Sequence, residues 1–314
     1  MSELTYQQVS VKTAARLHMG FYDLRAEGRY GSVGLALDMP YSEITLSLDS
    51  KPGNDTQANE VLAEICQAID VDIPIRVTVL NAIPRHAGFG SGTQLAMSIG
   101  AGLNQMLDLK LSMVEIALLS GRGRRSGIGI AAFETGGFLL DAGKLPTGGN
   151  VPQVLERLNF PAKWRVLLVQ DVMHVGVYGE VEKKAFQALD PMIDELRDMV
   201  FSQMLPALRA EDLPAFGDCI ARLQTYNGDY FAPIQGGQYA SQDVEVVLHA
   251  LQEIGAVCVG QSSWGPTGFA IAESEMIARE WSSHLQAKFQ HKQNIRFSIC
   301  RGRNYGAIVK TRQI

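Results

Sequence analysis

Cysteine is sparse in this 314-residue chain: Cys66, Cys219, Cys258 and Cys300 are the only four, and they stand far apart. There is no CxxC pair and no Cys/His cluster at zinc spacing. That excludes a disulfide-stapled scaffold and a zinc ribbon. The thiols read as reduced and mostly buried, as in a cytoplasmic protein. No apolar run approaches the ~20 residues needed to span a bilayer. The stretch Met1 to Ser10 is polar and lacks a signal-peptide core. Basic residues are not in excess: 28 Lys and Arg face 33 Asp and Glu, a net charge of −5. This balance argues against a nucleic-acid binder that relies on a broad basic surface. Small anions stay open to local arginines. No repeat of solenoid period and no low-complexity tract is visible. The expected partners are small molecules, with no nucleic acid and no membrane, and the expected assembly is a homodimer.

What is present is a globular composition, with 46% hydrophobic and 19% charged residues. The clearest break is Leu145 to Pro152, where two prolines bracket two glycines. It predicts two domains, 1–150 and 151–314. In the first, alternation at Ile75, Val77 and Val79 predicts a strand over 74–81. Leu95, Ile99, Leu103 and Leu107 form an i, i+4 stripe, which predicts a helix over 91–107. Ser112 to Glu115 is a capping-box pattern. In the second domain, 181–210 reads as one or two helices broken near Pro191 and Pro206. A helix is expected over 243–254, a strand over 267–272, and a helix capped by Ser274 running to about Phe289. Strands at 295–299 and 306–311 close the chain. Without a strict βαβα alternation, the pattern predicts an α+β fold.

Four segments carry groups suited to chemistry. Pro84 to Thr93 follows a strand and opens a helix. Its glycines, Gly88, Gly90 and Gly92, let successive N–H groups face one side, and a helix N-terminus adds donors and partial positive charge. With Ser91, Thr93, Arg85 and His86 alongside, it reads as a phosphate cradle. It is neither a Walker loop nor a dinucleotide fingerprint, because no GK[ST] follows and the spacing is G-x-G-x-G. Gly121 to Gly129 holds Arg122, Arg124 and Arg125 beside Ser126, and guanidinium forks suit phosphate and carboxylate. Gly260 to Gly268 surrounds Trp264 with Gln261, Ser262, Ser263 and Gly265, a set able to line a pocket with hydroxyls and one flat wall. Ala15 to Leu24 places Arg16 and His18 among apolar residues.

In order, these segments resemble the GHMP kinases, whose early motif P-x-x-x-G-L-G-S-S-A is similar to Pro84 to Thr93. The resemblance implies a two-domain fold, ribosomal-S5-domain-2-like and then ferredoxin-like. Two departures count against kinase chemistry. Gly92 stands where those kinases carry a magnesium-holding serine, and Gly129 stands where they carry the catalytic aspartate. An ATP-dependent small-molecule kinase and a non-catalytic binding protein on the same fold remain the alternatives.

A narrower resemblance covers about residues 12–270. Arg16 to Phe21, Gly34 to Leu37, Ser126 to Gly129 with Phe133 to Gly137, and Gln261 to Thr267 are similar to the β-ribofuranosylaminobenzene 5′-phosphate synthase family. That resemblance implies a decarboxylating phosphoribosyltransferase of tetrahydromethanopterin biosynthesis and one-carbon metabolism. Phosphoribosyl pyrophosphate would join 4-hydroxybenzoate or 4-aminobenzoate at the ring carbon bearing the carboxylate, releasing CO2 and pyrophosphate. It implies Mg2+ as cofactor, with Glu134 as candidate ligand. His18 or His86 would activate the para substituent, and Trp264 would wall the ring. Arg16, Gly88 to Thr93, Arg122, Arg125, Ser126, Gln261, Ser262, Ser263 and Gly265 would bind the substrates.

Overall fold

The computed structural model describes residues 6–25, 29–123, 126–143, 151–176 and 194–312. Two long strands, β1 (Gln8–Arg25) and β2 (Arg29–Leu48), form the spine of a first sheet. Neither was foreseen as a strand, because their alternation is interrupted. The β1–β2 register shifts between Ala14 and Arg16 and again between His18 and Gly20. Across the first shift the side chains change faces. Val9 and Val11 belong to one buried cluster, whereas Ala15, Leu17 and Met19 belong to another. A two-residue period cannot survive such a break.

Helix α1 (Thr56–Ala68) precedes β3 (Ile75–Asn81), and α2 (Ser91–Met106) follows it. The short α3 (Met113–Leu119) starts at the expected box: Ser112 N–H donates to Glu115 Oε2 at 2.7 Å and Glu115 N–H to Ser112 Oγ at 3.2 Å. Helix α4 (Ile128–Glu134) leads into β4 (Phe138–Asp141). β2 is long enough to pair with both β3 and β4 along different stretches. The sheet runs β10-β1-β2-β4-β5, with β5 at Val154–Leu158 and β10 at Ile308–Arg312. It thus takes strands from both sides of residue 150.

The second sheet begins with β6 (Arg165–Asp171). Of the expected 181–210 helices, the part before residue 194 lies outside the described residues. The rest is α5 (Asp194–Met199), a π-helical turn (Val200–Met204) and α6 (Leu205–Arg209). Pro206 does not break this run. It sits in the first turn of α6, where its missing N–H is tolerated. Then come α7 (Leu213–Gln235), α8 (Gln242–Glu253), β7 (Val259–Gln261), β8 (Thr267–Ala272), α9 (Glu275–Lys288) and β9 (Ile295–Cys300). The order β7-β8-β6-β9, all antiparallel, is the split βαβ topology of ferredoxin-like domains.

One buried cluster joins the two halves. Leu17, Leu35 and Phe138 of the first sheet, Leu168 and Phe269 of the second, and Phe216, Ile220 and Leu223 of α7 all belong to it. The site loops emerge along this seam.

Candidate active site

β10 covers the outer edge of β1 only from Gln8 to Lys12. Beyond that, from Arg16 to Phe21, the edge presents backbone groups that need partners. Loops and side chains supply them. Arg16 N–H donates to the Phe89 carbonyl at 3.1 Å, and Ser263 N–H donates to the His18 carbonyl at 2.8 Å. His18 N–H donates to Ser262 Oγ at 3.0 Å. Past the bulge, Gln224 Nε2 donates to the Met19 carbonyl at 2.6 Å, and Asn227 brackets Phe21. A strand edge is thus the peg on which the glycine loop, the Trp264 loop and α7 hang together.

The glycine loop is held by its carbonyls. Those of His86, Ala87 and Gly88 accept from Gly176 N–H, Thr267 Oγ1 and Ser262 Oγ at 3.3, 2.6 and 2.7 Å. Gly88 also takes the Arg16 guanidinium at 2.6 Å. In a trans peptide the N–H points opposite to the C=O, so these contacts turn the following N–H groups away from the protein partners. His86 (φ 55°), Gly88 (φ 80°) and Gly90 (φ 74°) alternate the backbone into the left-handed region, the kind of alternation that can gather N–H groups into a nest. At Gly88 a side chain would also collide with the Ser262 carbonyl, 2.5 Å from where a Cβ would sit. Gly90 is the N-cap of the 16-residue α2 and offers no side-chain cap, an arrangement able to take an anion. Two guanidiniums flank this end. Arg16 lies 3.0 Å from a Cβ placed on Gly90, and Arg122 lies 3.3 Å from one placed on Gly92.

Beside the loop opens a pocket lined by His18, Phe21, Phe231, Trp264, Ser263 and a group of amides: Gln224, Asn227, Gln235, Gln238 and Gln261. Its described lining holds no Lys, Arg, Asp or Glu. Phe231 stands 4.5 Å from Trp264 and 6.0 Å from Phe21, and His18 stands 4.5 Å from Phe21, between ring centroids. Such a wall suits a flat aromatic guest.

The structure sorts the expected residues. Gly88, Gly90, Gly92, Arg16, Arg122, His18, Ser262, Ser263, Gly265 and Trp264 come together around the loop and the pocket. Ser263 is held at φ 54°, an uncommon conformation for a non-glycine residue. Gln261 lines the pocket, but its amide is committed to Ala240, Gln235 and Ser263. Ser91 faces a separate dimple beside Arg85. Arg85 is paired with Asp55 at 2.6 Å, so it is not directed at the loop. His86 is exposed and does not line the pocket. Thr93 packs against Gly129, where an added Cβ would meet Thr93 Cγ2 at 3.0 Å. Arg125 lies outside the described residues.

Ser126 and Glu134 fall elsewhere than expected. The Ser126 hydroxyl donates to Asp141 Oδ2 at 2.7 Å and accepts from Ile128 N–H at 3.2 Å, just ahead of α4. Asp141 is fully buried and also accepts from Ser32, Gly127 and Gly143. Burial pushes its carboxyl up, against hydrogen bonds that favour the anion. Glu134 is exposed at the opposite end of α4, about 9 Å along the axis from Ile128. Among the described residues no three His, Cys, Asp or Glu side chains cluster as a metal site. Among the described residues the donor set beside the loop, hydroxyls and guanidiniums, does not fit a magnesium ion.

Sequence reasoning missed α7 as part of the site. Its signal was present: Gln224 and Asn227 are three apart and share a helix face with Phe231 one turn on. Gly217, Gly228 and Pro233 obscured the helix itself.

Comparison with known proteins agrees with this architecture. Residues 57–137 match the model for the GHMP kinases N terminal domain, and 204–291 match GHMP kinases C terminal. The beta-ribofuranosylphenol 5'-phosphate synthase of Archaeoglobus fulgidus is 31% identical, over 96% of this chain and 99% of that protein. A homoserine kinase from Cytophaga hutchinsonii superposes with a TM-score of 0.71 at 18% identity, covering 97% of this chain and 98% of that one. MDDEF, in complex with MVAPP, AMPPCP and magnesium, superposes with a TM-score of 0.65 at 16% identity, covering 98% and 99%. Among the described residues no helix is long and apolar enough to cross a membrane.

Proposed function

We propose that this chain, which belongs to the GHMP kinase superfamily, is a synthase that condenses phosphoribosyl pyrophosphate with 4-hydroxybenzoate, releasing CO2 and pyrophosphate. The product, a ribofuranosylphenol 5′-phosphate, is the one named in the Archaeoglobus relative. It would serve tetrahydromethanopterin synthesis. One observation carries the reading: an aromatic pocket whose described lining has no charged side chain adjoins the glycine loop and a helix N-terminus flanked by two arginines, and Ser262 bonds both to the Gly88 carbonyl of the loop and to His18 N–H beside the pocket. Against the kinase alternative, Gly129 stands where the usual catalytic carboxylate would be and packs against Thr93.

In this reading the two units, 1–150 and 151–314, divide the work. The first supplies the glycine loop, Arg16, His18 and Arg122. The second supplies Ser262 to Trp264 and α7. The pyrophosphate lies at the N-terminus of α2, where backbone N–H groups and Arg122 stabilise the charge that grows as the C1–O bond breaks. Any magnesium arrives with the diphosphate as part of the substrate. The ring stands against Trp264 and Phe231. His18 takes the proton of the para hydroxyl, which raises electron density at the carbon bearing the carboxylate. That carbon bonds to C1 of the ribose. The bond to the carboxylate then breaks, CO2 leaves, and its electron pair restores the aromatic ring. His18 returns the proton to the phenolate. Among the described residues the pocket lining offers no cation to the carboxylate, which in this reading favours loss of its charge.

Tryptophan fluorescence tests the aromatic pocket. 4-Hydroxybenzoate should quench emission saturably without ATP, and Trp264→Phe should remove most of the quench. A quench unchanged in Trp264→Phe would contradict this placement.

A further inference from the structure

The amides that α7 brings to the pocket are committed to the protein itself. Asn227 Oδ1 accepts from Phe21 N–H at 2.8 Å, and its Nδ2 donates to the Phe21 and Leu223 carbonyls at 2.9 and 2.8 Å. Gln224 Nε2 donates to the Met19 and Gln261 carbonyls at 2.6 and 3.2 Å, and its Oε1 accepts from Gln261 N–H at 2.7 Å. Both side chains are buried. A primary amide has two donor hydrogens and one acceptor oxygen, so each of these two is engaged at both ends.

Their place on β1 gives the contacts meaning. The register shift between His18 and Gly20 leaves Met19 out of the pairing with β2. Before the shift, the exposed edge offers the N–H and C=O of His18; after it, the Met19 and Phe21 groups are the ones that α7 meets. Gly20 adopts φ 137° and runs so close to α7 that an added Cβ would stand 3.1 Å from Leu223 and 3.3 Å from Asn227. A bulge re-aims the neighbouring side chain, and its direction is set by whatever holds the bulged backbone. Phe21, fixed by Asn227 through both backbone groups, places its own ring 4.5 Å from the His18 ring.

Building on the proposed synthase reading, we infer that Asn227 and Gln224 are positioning residues: by holding the backbone of Met19 and Phe21 they fix the angle at which the His18 imidazole enters the pocket. Their amide groups are spent on the protein, so they act through His18 rather than by hydrogen-bonding the substrate. Proximity effects are steep, and a displacement of about 1 Å can cost on the order of 10²-fold in rate.

The test is histidine-selective NMR on the intact chain, with the six histidines labelled and His18 assigned through His18→Gln. In Asn227→Ala and in Gln224→Ala the His18 ring signal should shift or broaden while the other histidine signals stay in place. Asn227→Asp keeps the acceptor for Phe21 N–H but loses both donors, and should fall between. It also serves as the near-isosteric variant should the alanine form not fold. In turnover, kcat with 4-hydroxybenzoate should fall about 10–100-fold while the KM for phosphoribosyl pyrophosphate stays within about twofold. A His18 signal at its wild-type position in folded variants, with only the melting temperature lowered, would overturn the inference and leave the amides a purely structural role. A wild-type protein without synthase turnover would sink the functional reading instead, and the ring signals would still decide the positioning.

Discussion

The Ser262 hydroxyl donates to the Gly88 carbonyl at 2.7 Å, joining segments 174 residues apart. The same oxygen accepts from His18 N–H at 3.0 Å. One side chain therefore links the glycine loop directly to the strand that carries His18. Ser262→Ala would leave the buried His18 N–H without this acceptor, at a cost of about 1–3 kcal/mol in stability. The expected result is a lowered melting temperature and a loss of kcat/KM of roughly tenfold or more. An unchanged kcat/KM would mean that the two halves of the site are aligned by other contacts.

His18→Ala should cut turnover by roughly 10²–10⁴-fold, the usual range for a general base. His86→Ala should not, since His86 is exposed and does not line the pocket. Steady-state kinetics on folded variants decides. A loss below about tenfold for His18→Ala contradicts its assignment.

Arg122 stands over Gly92 at the start of α2. Charge-assisted hydrogen bonds to anions are worth about 1.5–3 kcal/mol. Arg122→Gln should therefore raise the KM for phosphoribosyl pyrophosphate about 10–100-fold, and change the KM for the aromatic acid less than about twofold. Equal effects on both would place Arg122 outside the phosphate site.

Gly129→Asp does not convert the protein into a kinase. A Cβ there meets Thr93 Cγ2 at 3.0 Å, so the new carboxylate has to displace its neighbour. Overpacking of this kind costs about 1–3 kcal/mol. The expected outcome is a lower melting temperature and no ATP consumption with homoserine or mevalonate, read by a coupled assay.

Glu275 gathers Arg165, Arg279 and Arg301. Hydrogen bonds from Arg279 and Arg165 pull its carboxyl down from 4.5 to about 2. A folded-state value below the unfolded one gives stability that is present above about 4.5 and lost as pH falls toward about 2. The carboxylate is exposed, so the effect is small and screened by salt. Melting temperature against pH should fall less steeply in Glu275→Gln across that window, with the difference shrinking in high salt.

The sequence revealed the parts of the fold that obey a single period. The α2 stripe, the capping box at Ser112 and the strands at 75–81 and 267–272 lie where their patterns place them. β1 and β2 escaped because the breaks at Ala14 and His18 exchange faces midway. The same breaks flank Arg16 and His18, so in the proposed reading the irregularity that hid the strand also shapes the site. Gly88 and Ser262 were each legible as candidates. Their contact was not, since nothing local in either segment encodes a hydrogen bond to the other. Ser126 misled because its motif reads as ligand-facing, whereas a buried partner fifteen residues on, Asp141, takes its hydroxyl.

The central claim is tested most directly by release of labelled CO2 from carboxyl-labelled 4-hydroxybenzoate and, in parallel, from 4-aminobenzoate. The mixture holds purified protein, phosphoribosyl pyrophosphate and Mg2+, with ATP in a second tube. The account predicts release that requires phosphoribosyl pyrophosphate, ignores ATP and is faster with 4-hydroxybenzoate. No release from either acid, with ATP consumed when alcohols are supplied, would contradict it and return the chain to the kinases it resembles in fold.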